Sequence, residues 1–124
     1  MNGIVDTTVI IHLFRKQQRA VNWLKTQQTL GITSITWMEM IQGANSKAHL
    51  ASSKALLSQF QVIRLDSNDQ TWAMQQLETF QFSHHIGIND CLIASVAYRL
   101  QIPLYTHNLK HLQPLLGSLA QKPY

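Results

Sequence analysis

The chain has 124 residues, 45% of them hydrophobic and only 13% charged, with a single cysteine. An apolar share that high on a chain that long gives one domain over residues 1–124 with its own core, and it excludes a disordered segment. A lone cysteine excludes a disulfide scaffold or a cysteine-rich zinc site and points to a reducing cytoplasm, while a net charge of +4 suits an anionic partner as well as an ordinary charged surface.

Taken in chain order, Gly3–Val5 is a short apolar run that ends at an acid, and it predicts the first strand. Thr8–Phe14 has helical spacing, with Val9, Ile10, Leu13 and Phe14 on one face, and Arg19–Gln27 predicts a second helix. Leu30–Thr33 is the next strand; Ser34 or Thr36 then caps a helix through Ile41, with Gly43 as its stop. A helix over Lys47–Phe60 and a strand over Val62–Leu65 follow. Ser67 with Gln70 three residues on has the pattern of a capping box, opening a helix to about Phe80 with Asp69 in its first turn. Asn89–Leu100 is the most apolar helix, Leu104–Thr106 the last strand, and Lys110–Leu116 a short closing helix. No apolar run approaches the roughly 18 residues of a membrane span. The opening residues carry Asp6 and no basic stretch, unlike a secretory signal.

Short apolar strands alternating with helices predict an α/β fold in three layers, with a mainly parallel central sheet covered on both faces. Sites in such folds lie at the carboxyl ends of the strands. That rule singles out Asp6, the segment after Thr33, and Thr106–Asn108.

The six acids divide by their neighbours. Asp66, Asp69 and Glu78 suit a loop, a helix start and a solvated helix face. Asp6, Glu39 and Asp90 each sit in an apolar stretch at a strand-to-helix junction. Each has an ordinary explanation: helix-start amides for Asp6, Arg15 or Arg19 for Glu39, a first-turn acid for Asp90. Together they can converge on one side of a parallel sheet. Clustered carboxylates repel unless a cation joins them, and an all-oxygen set favours Mg²⁺ or Mn²⁺ over zinc. A basic chain with such a site points to phosphodiester hydrolysis.

Four segments in order resemble the PIN domain in its VapC-type toxin-ribonuclease branch. They are Ile4–Ile11 around Asp6, Ile32–Ala44 around Glu39, Ile88–Ala97 around Asp90, and Leu104–Leu112 with its Thr106-His107-Asn108 run. The resemblance implies a three-layer α/β/α fold, and Mg²⁺ or Mn²⁺ held by Asp6, Glu39 and Asp90. It implies cleavage of RNA by metal-activated water, a homodimer, and a small antitoxin partner. Where many members carry a fourth acid this chain has Asn108, then His111. Asn108 can complete the site through its carbonyl oxygen but adds no charge, so one firmly bound ion is expected. The same departure keeps open a catalytically weak or inactive scaffold that binds RNA or a protein partner.

Thr7 and Thr106 are expected to support the site through their hydroxyls, or else to make strand-end hydrogen bonds. Arg15, Lys16 and Arg19 form a basic cluster that would follow the RNA backbone, meet an antitoxin's acids, or be a solvated helix end. His107 and His111 are candidates for phosphate contact or for half-exposed surface. Trp37 is the best stacking candidate among the three tryptophans, which otherwise suit core or interface. Cys91 reads as a small buried residue.

Overall fold

A computed structural model describes all of residues 1–124. The elements run β1 (Gly3–Val5), α1 (Thr7–Phe14), α2 (Gln18–Lys25), β2 (Leu30–Thr33), α3 (Ser34–Gln42), α4 (Lys47–Leu57), β3 (Gln61–Ile63), α5 (Ser67–His84), α6 (Ile88–Leu100), β4 (Leu104–Tyr105), α7 (Leu109–Leu116) and β5 (Ala120–Gln121). All five strands are parallel, in the order β3-β2-β1-β4-β5. The predicted three-layer α/β/α arrangement is the one observed.

Alternation along the strands divides the core in two, because successive side chains point to opposite faces of a sheet. Ile4 and Leu104 face α5, α6 and α7 and pack with Ile93, Val96, Leu112 and Leu116. Val5 and Ile32 face the other way, onto Val9, Ile10 and Leu13 of α1, Met40 of α3 and Leu57 of α4. Both faces are covered at the centre of the sheet, so β1, β2 and β4 are short, mainly apolar runs, whereas the edge strands β3 and β5 carry exposed Gln61 and Gln121. Ile32 is fully buried, and Ile32→Val is expected to cost about 1 kcal/mol of stability in urea unfolding.

Several boundaries differ from expectation. β3 begins at Gln61, earlier than Val62–Leu65, and α5 runs on to His84 instead of ending near Phe80. β5 was not predicted; two residues are too few to show a period, and it exists by pairing with β4. The capping box of α5 is also one residue earlier than Ser67–Gln70. The Asp69 main-chain N–H donates to Asp66 Oδ1 at 2.9 Å and the Asp66 N–H to Asp69 Oδ2 at 3.0 Å. A carboxylate accepts at both ends of that exchange more strongly than a hydroxyl. Asp69 is not the simple first-turn acid expected either: it is 2% exposed and bonded to Arg99 Nε of α6 at 2.9 Å.

The chain builds β1, β2 and β3 outward in one direction, then returns to place β4 on the other side of β1. That reversal puts a crevice at the carboxyl ends of β1 and β4, the usual place for a site in an open parallel sheet.

Candidate functional site

Asp6 leaves β1 at the crevice. Its N–H donates to the Tyr105 carbonyl at 2.9 Å, which ties the ends of β1 and β4 together. Asp6 is the N-cap of α1 by position, but its side chain makes no capping bond. Instead Oδ2 accepts from the Thr106 hydroxyl at 2.7 Å and from the Thr8 hydroxyl at 3.0 Å. The residue is 4% exposed and no basic side chain pairs with it. Burial holds its carboxyl above the ordinary value, the Thr106 and Thr8 hydroxyls oppose that rise, and the charge of Asp90 adds to it.

Glu39 is carried by α3, which starts directly after β2 with Thr33 as its cap: the Thr36 N–H donates to Thr33 Oγ1 at 3.2 Å. Its two oxygens are both engaged. Oε1 accepts from the Thr7 hydroxyl at 2.7 Å and Oε2 from Asn89 Nδ2 at 3.3 Å. The alternative partners Arg15 and Arg19 make no ion pair with it. Asp90 lies in the first turn of α6, near the Gly87 N–H and 3.2 Å from His111 Nδ1 of α7. His111 Nδ1 is also 3.0 Å from the Asn108 side-chain amide. Asn108 in turn donates its main-chain N–H to Thr106 Oγ1 at 2.9 Å.

Asp6, Glu39, Asp90 and Asn108 therefore line one cavity of about 200 Å³, with Thr7, Thr8 and Asn89 among its walls. Of the three acids in apolar stretches Asp6 alone is itself buried; Glu39 and Asp90 are half-buried. As the side chains stand, no three His, Cys, Asp or Glu converge closely enough to hold an ion. The donor chemistry nevertheless fits a hard divalent cation. The donors at the cavity are carboxylate, amide and hydroxyl oxygens, and one of the acids is buried without a counter-charge.

Two participants were not singled out in the sequence: Thr8 serves Asp6 and Asn89 serves Glu39. His111, a candidate for phosphate contact, instead faces Asp90. Thr8 and Asn89 lie two residues and one residue from an acid, which is the only local sign of their roles. Two other expectations change. His107 is not turned to a phosphate: it packs edge-on against Tyr124, centroids 4.5 Å apart, and 4.8 Å from His12. Burial keeps its imidazole below the ordinary value, with His12, Lys122 and Arg19 acting in the same direction. The basic cluster is also divided. Arg15 borders a cavity beside Glu39, Lys16 a separate cavity between α1, α2 and α4, and Arg19 lies over the Tyr124 ring at 5.9 Å. None of the tryptophans lines the acid cavity. Cys91 is buried as expected, its thiol pushed up to about 11 by burial and by Asp90.

Asp6 and Glu39 come from strand-to-helix junctions as expected, but Asp90 does not: α5 leads directly into α6, so it comes from a helix-to-helix turn. A parallel sheet whose crevice gathers these three acids defines a class. A family model for the PIN domain matches residues 3–113, and the chain belongs to that family. No curated protein matches it significantly in sequence. Among solved structures it is similar to a toxin–antitoxin complex from Klebsiella pneumoniae, with 22% identity over 99% of this chain and 98% of that one and a TM-score of 0.84. It is similar to VapBC-1 from nontypeable Haemophilus influenzae, with 26% identity over 93% of this chain and 92% of that one and a TM-score of 0.77. VapBC2 from Rickettsia felis, bound to a DNA fragment from its promoter, has 24% identity over 92% of each chain and a TM-score of 0.77. These likenesses support a PIN domain of the VapC type. No helix of the structure is long and apolar enough to cross a membrane.

Proposed function

We propose that this PIN domain is a Mg²⁺- or Mn²⁺-dependent endoribonuclease, acting in the cytoplasm as the toxin of a VapBC-type toxin–antitoxin pair. A small antitoxin would restrain it, and it would work as a homodimer. The observation that carries the reading is Asp6, a carboxylate 4% exposed with no basic partner, in one cavity with Glu39, Asp90 and Asn108. A buried unpaired charge is costly unless a cation joins it. Asp6, Glu39 and Asp90 would hold the ion, and Asn108 would add a neutral oxygen. The bound ion would acidify a water and offset charge on the scissile phosphate.

The rest of the work falls to this chain's own residues. Thr106 and Thr8 fix Asp6 Oδ2, Thr7 and Asn89 fix both oxygens of Glu39, and His111 Nδ1 stands 3.2 Å from Asp90 Oδ2. Partners of that kind orient metal-binding carboxylates and tune them. Arg15, beside Glu39, is placed to meet phosphate or an antitoxin's acids. A mixed RNA pool incubated with the purified chain is expected to be cut with Mg²⁺ or Mn²⁺ and left intact with EDTA. Undiminished cutting in EDTA would sink the metal-dependent reading.

A second reading has its own observation. Asn108 contributes no charge, and the acids do not converge as they stand, which suits a scaffold that binds RNA or a protein partner without cutting. RNA bound but uncut in every condition, with no heat of Mn²⁺ binding by calorimetry, selects that reading.

A further inference from the structure

The acid cavity adjoins a second one of about 380 Å³, and the two share Thr7, Ile11 and Glu39. Phe14 and Arg15 from the end of α1 and His49 from α4 supply its distinctive walls. The Phe14 and His49 rings are stacked, with centroids 4.6 Å apart and planes 26° from parallel. The Asn45 main-chain N–H donates to His49 Nδ1 at 3.2 Å. A neutral ring that accepts at Nδ1 carries its proton on Nε2, so His49 presents a donor there. Arg15 is exposed and pairs with no carboxylate, although Glu39 lines the same cavity.

We propose that this cavity is a nucleobase subsite. It takes one unpaired base of single-stranded RNA next to the scissile phosphate, stacked on the Phe14–His49 pair. His49 Nε2–H lies in the ring plane, beside the stacked base, where it donates to a sugar or phosphate oxygen of the same strand, and Arg15 meets the adjoining phosphate. The inference rests on the endoribonuclease reading and deepens it by naming how substrate is held. Two features favour RNA as the occupant. An unpaired guanidinium beside the acid cavity complements phosphate. The shared walls put the base within reach of a phosphate in the acid cavity. A base inside a duplex offers no free face, so the subsite selects single strands or loops.

The test uses a short, randomised, fluorescein-labelled single-stranded RNA. Binding is followed by anisotropy with all variants on an Asp90→Asn background, and cut ends are sequenced with Asp90 intact. His49→Ala and Arg15→Gln are each expected to weaken binding about tenfold, the scale of one lost base stack or phosphate contact. His49→Phe keeps a ring and loses the donor. It is expected to hold affinity within about twofold, whereas His49→Ala also shifts the base preference beside the cut, a change that a purely structural role for His49 would not produce. Wild-type affinity and unchanged cut-end sequences in His49→Ala and Arg15→Gln overturn the subsite and leave the endoribonuclease reading standing. Intact RNA binding with loss of a co-purifying protein that the unmutated chain retains gives the cavity to a protein segment and also overturns it. No RNA bound or cut by the unmutated chain overturns both.

Discussion

Asp90→Asn and Asp6→Asn are each expected to lower RNA cleavage about a thousandfold. A catalytic divalent ion contributes several kcal/mol of charge stabilisation, and each 1.36 kcal/mol is a factor of ten, so losing about 4 kcal/mol removes roughly three decades. Both substitutions keep the side chain's shape. Asn at position 6 still accepts from the Thr106 and Thr8 hydroxyls through Oδ1, the bonds that Asp6 Oδ2 accepts now. Asn at position 90 keeps an oxygen for the contact with His111 Nδ1. The lost activity is therefore a loss of charge at the site, with the fold retained. Asn108→Asp acts in the opposite direction: it adds a carboxylate at the end of β4 and is expected to tighten Mn²⁺ binding. Single-turnover cleavage and Mn²⁺ calorimetry on the same preparations check all three. Full nuclease activity in both Asn variants would remove Asp6 and Asp90 from the site.

The order of elements was legible because the central strands are short apolar runs and the helices repeat their apolar residues at helical spacing. That signal needs length, so β5, with Ala120 and Gln121 only, lay below it. The site was legible to the extent that a carboxylate in an apolar stretch is anomalous, and that criterion found Asp6, Glu39 and Asp90. It did not find Thr8 or Asn89, whose roles exist only after distant strand ends are brought together. The bond from Thr106 to Asp6 spans 100 residues of sequence. The same criterion passed over Asp69, since polar neighbours in sequence disguised a position that the packing of α6 on α5 buries. Arg15, Lys16 and Arg19 look like one basic cluster because they are close in sequence. The end of α1 and the turn into α2 point them to three different surroundings.

Asp6 and Asp69 are both almost fully buried, at 4% and 2% exposure, yet their substitutions are expected to shift stability in opposite directions. Asp69 is satisfied: it exchanges hydrogen bonds with Asp66 at the start of α5 and accepts from Arg99 Nε, which is itself one-third exposed. Asp69→Ala removes the cap and the nearer of the two carboxylates on Arg99, leaving Asp66 Oδ2 at 3.4 Å, and is expected to cost about 2 kcal/mol, below a fully broken buried pair because Asp66 and water still reach Arg99. Asp6 has hydroxyl donors but no counter-charge. Its carboxyl is held above the ordinary value of 3.8, chiefly by burial. A carboxyl with a raised folded pKa binds its proton more tightly in the native state. The contribution of Asp6 to native stability is then greatest below pH 3.8 and falls as pH rises from there through the raised value. Asp6→Asn removes that fall. Without divalent ion near neutral pH it is expected to be more stable than the unmutated chain by about 1 kcal/mol. Mg²⁺ should reverse the ranking, because an ion that binds only the folded chain stabilises it and the Asn variant gains little. Urea midpoints for the unmutated chain, Asp6→Asn and Asp69→Ala, taken at about pH 5 and about pH 7.5 with and without Mg²⁺, read both effects at once. An Asp6→Asn variant less stable than the unmutated chain in EDTA would mean that Thr8, Thr106 and the α1 amides already satisfy Asp6. It would then need no cation.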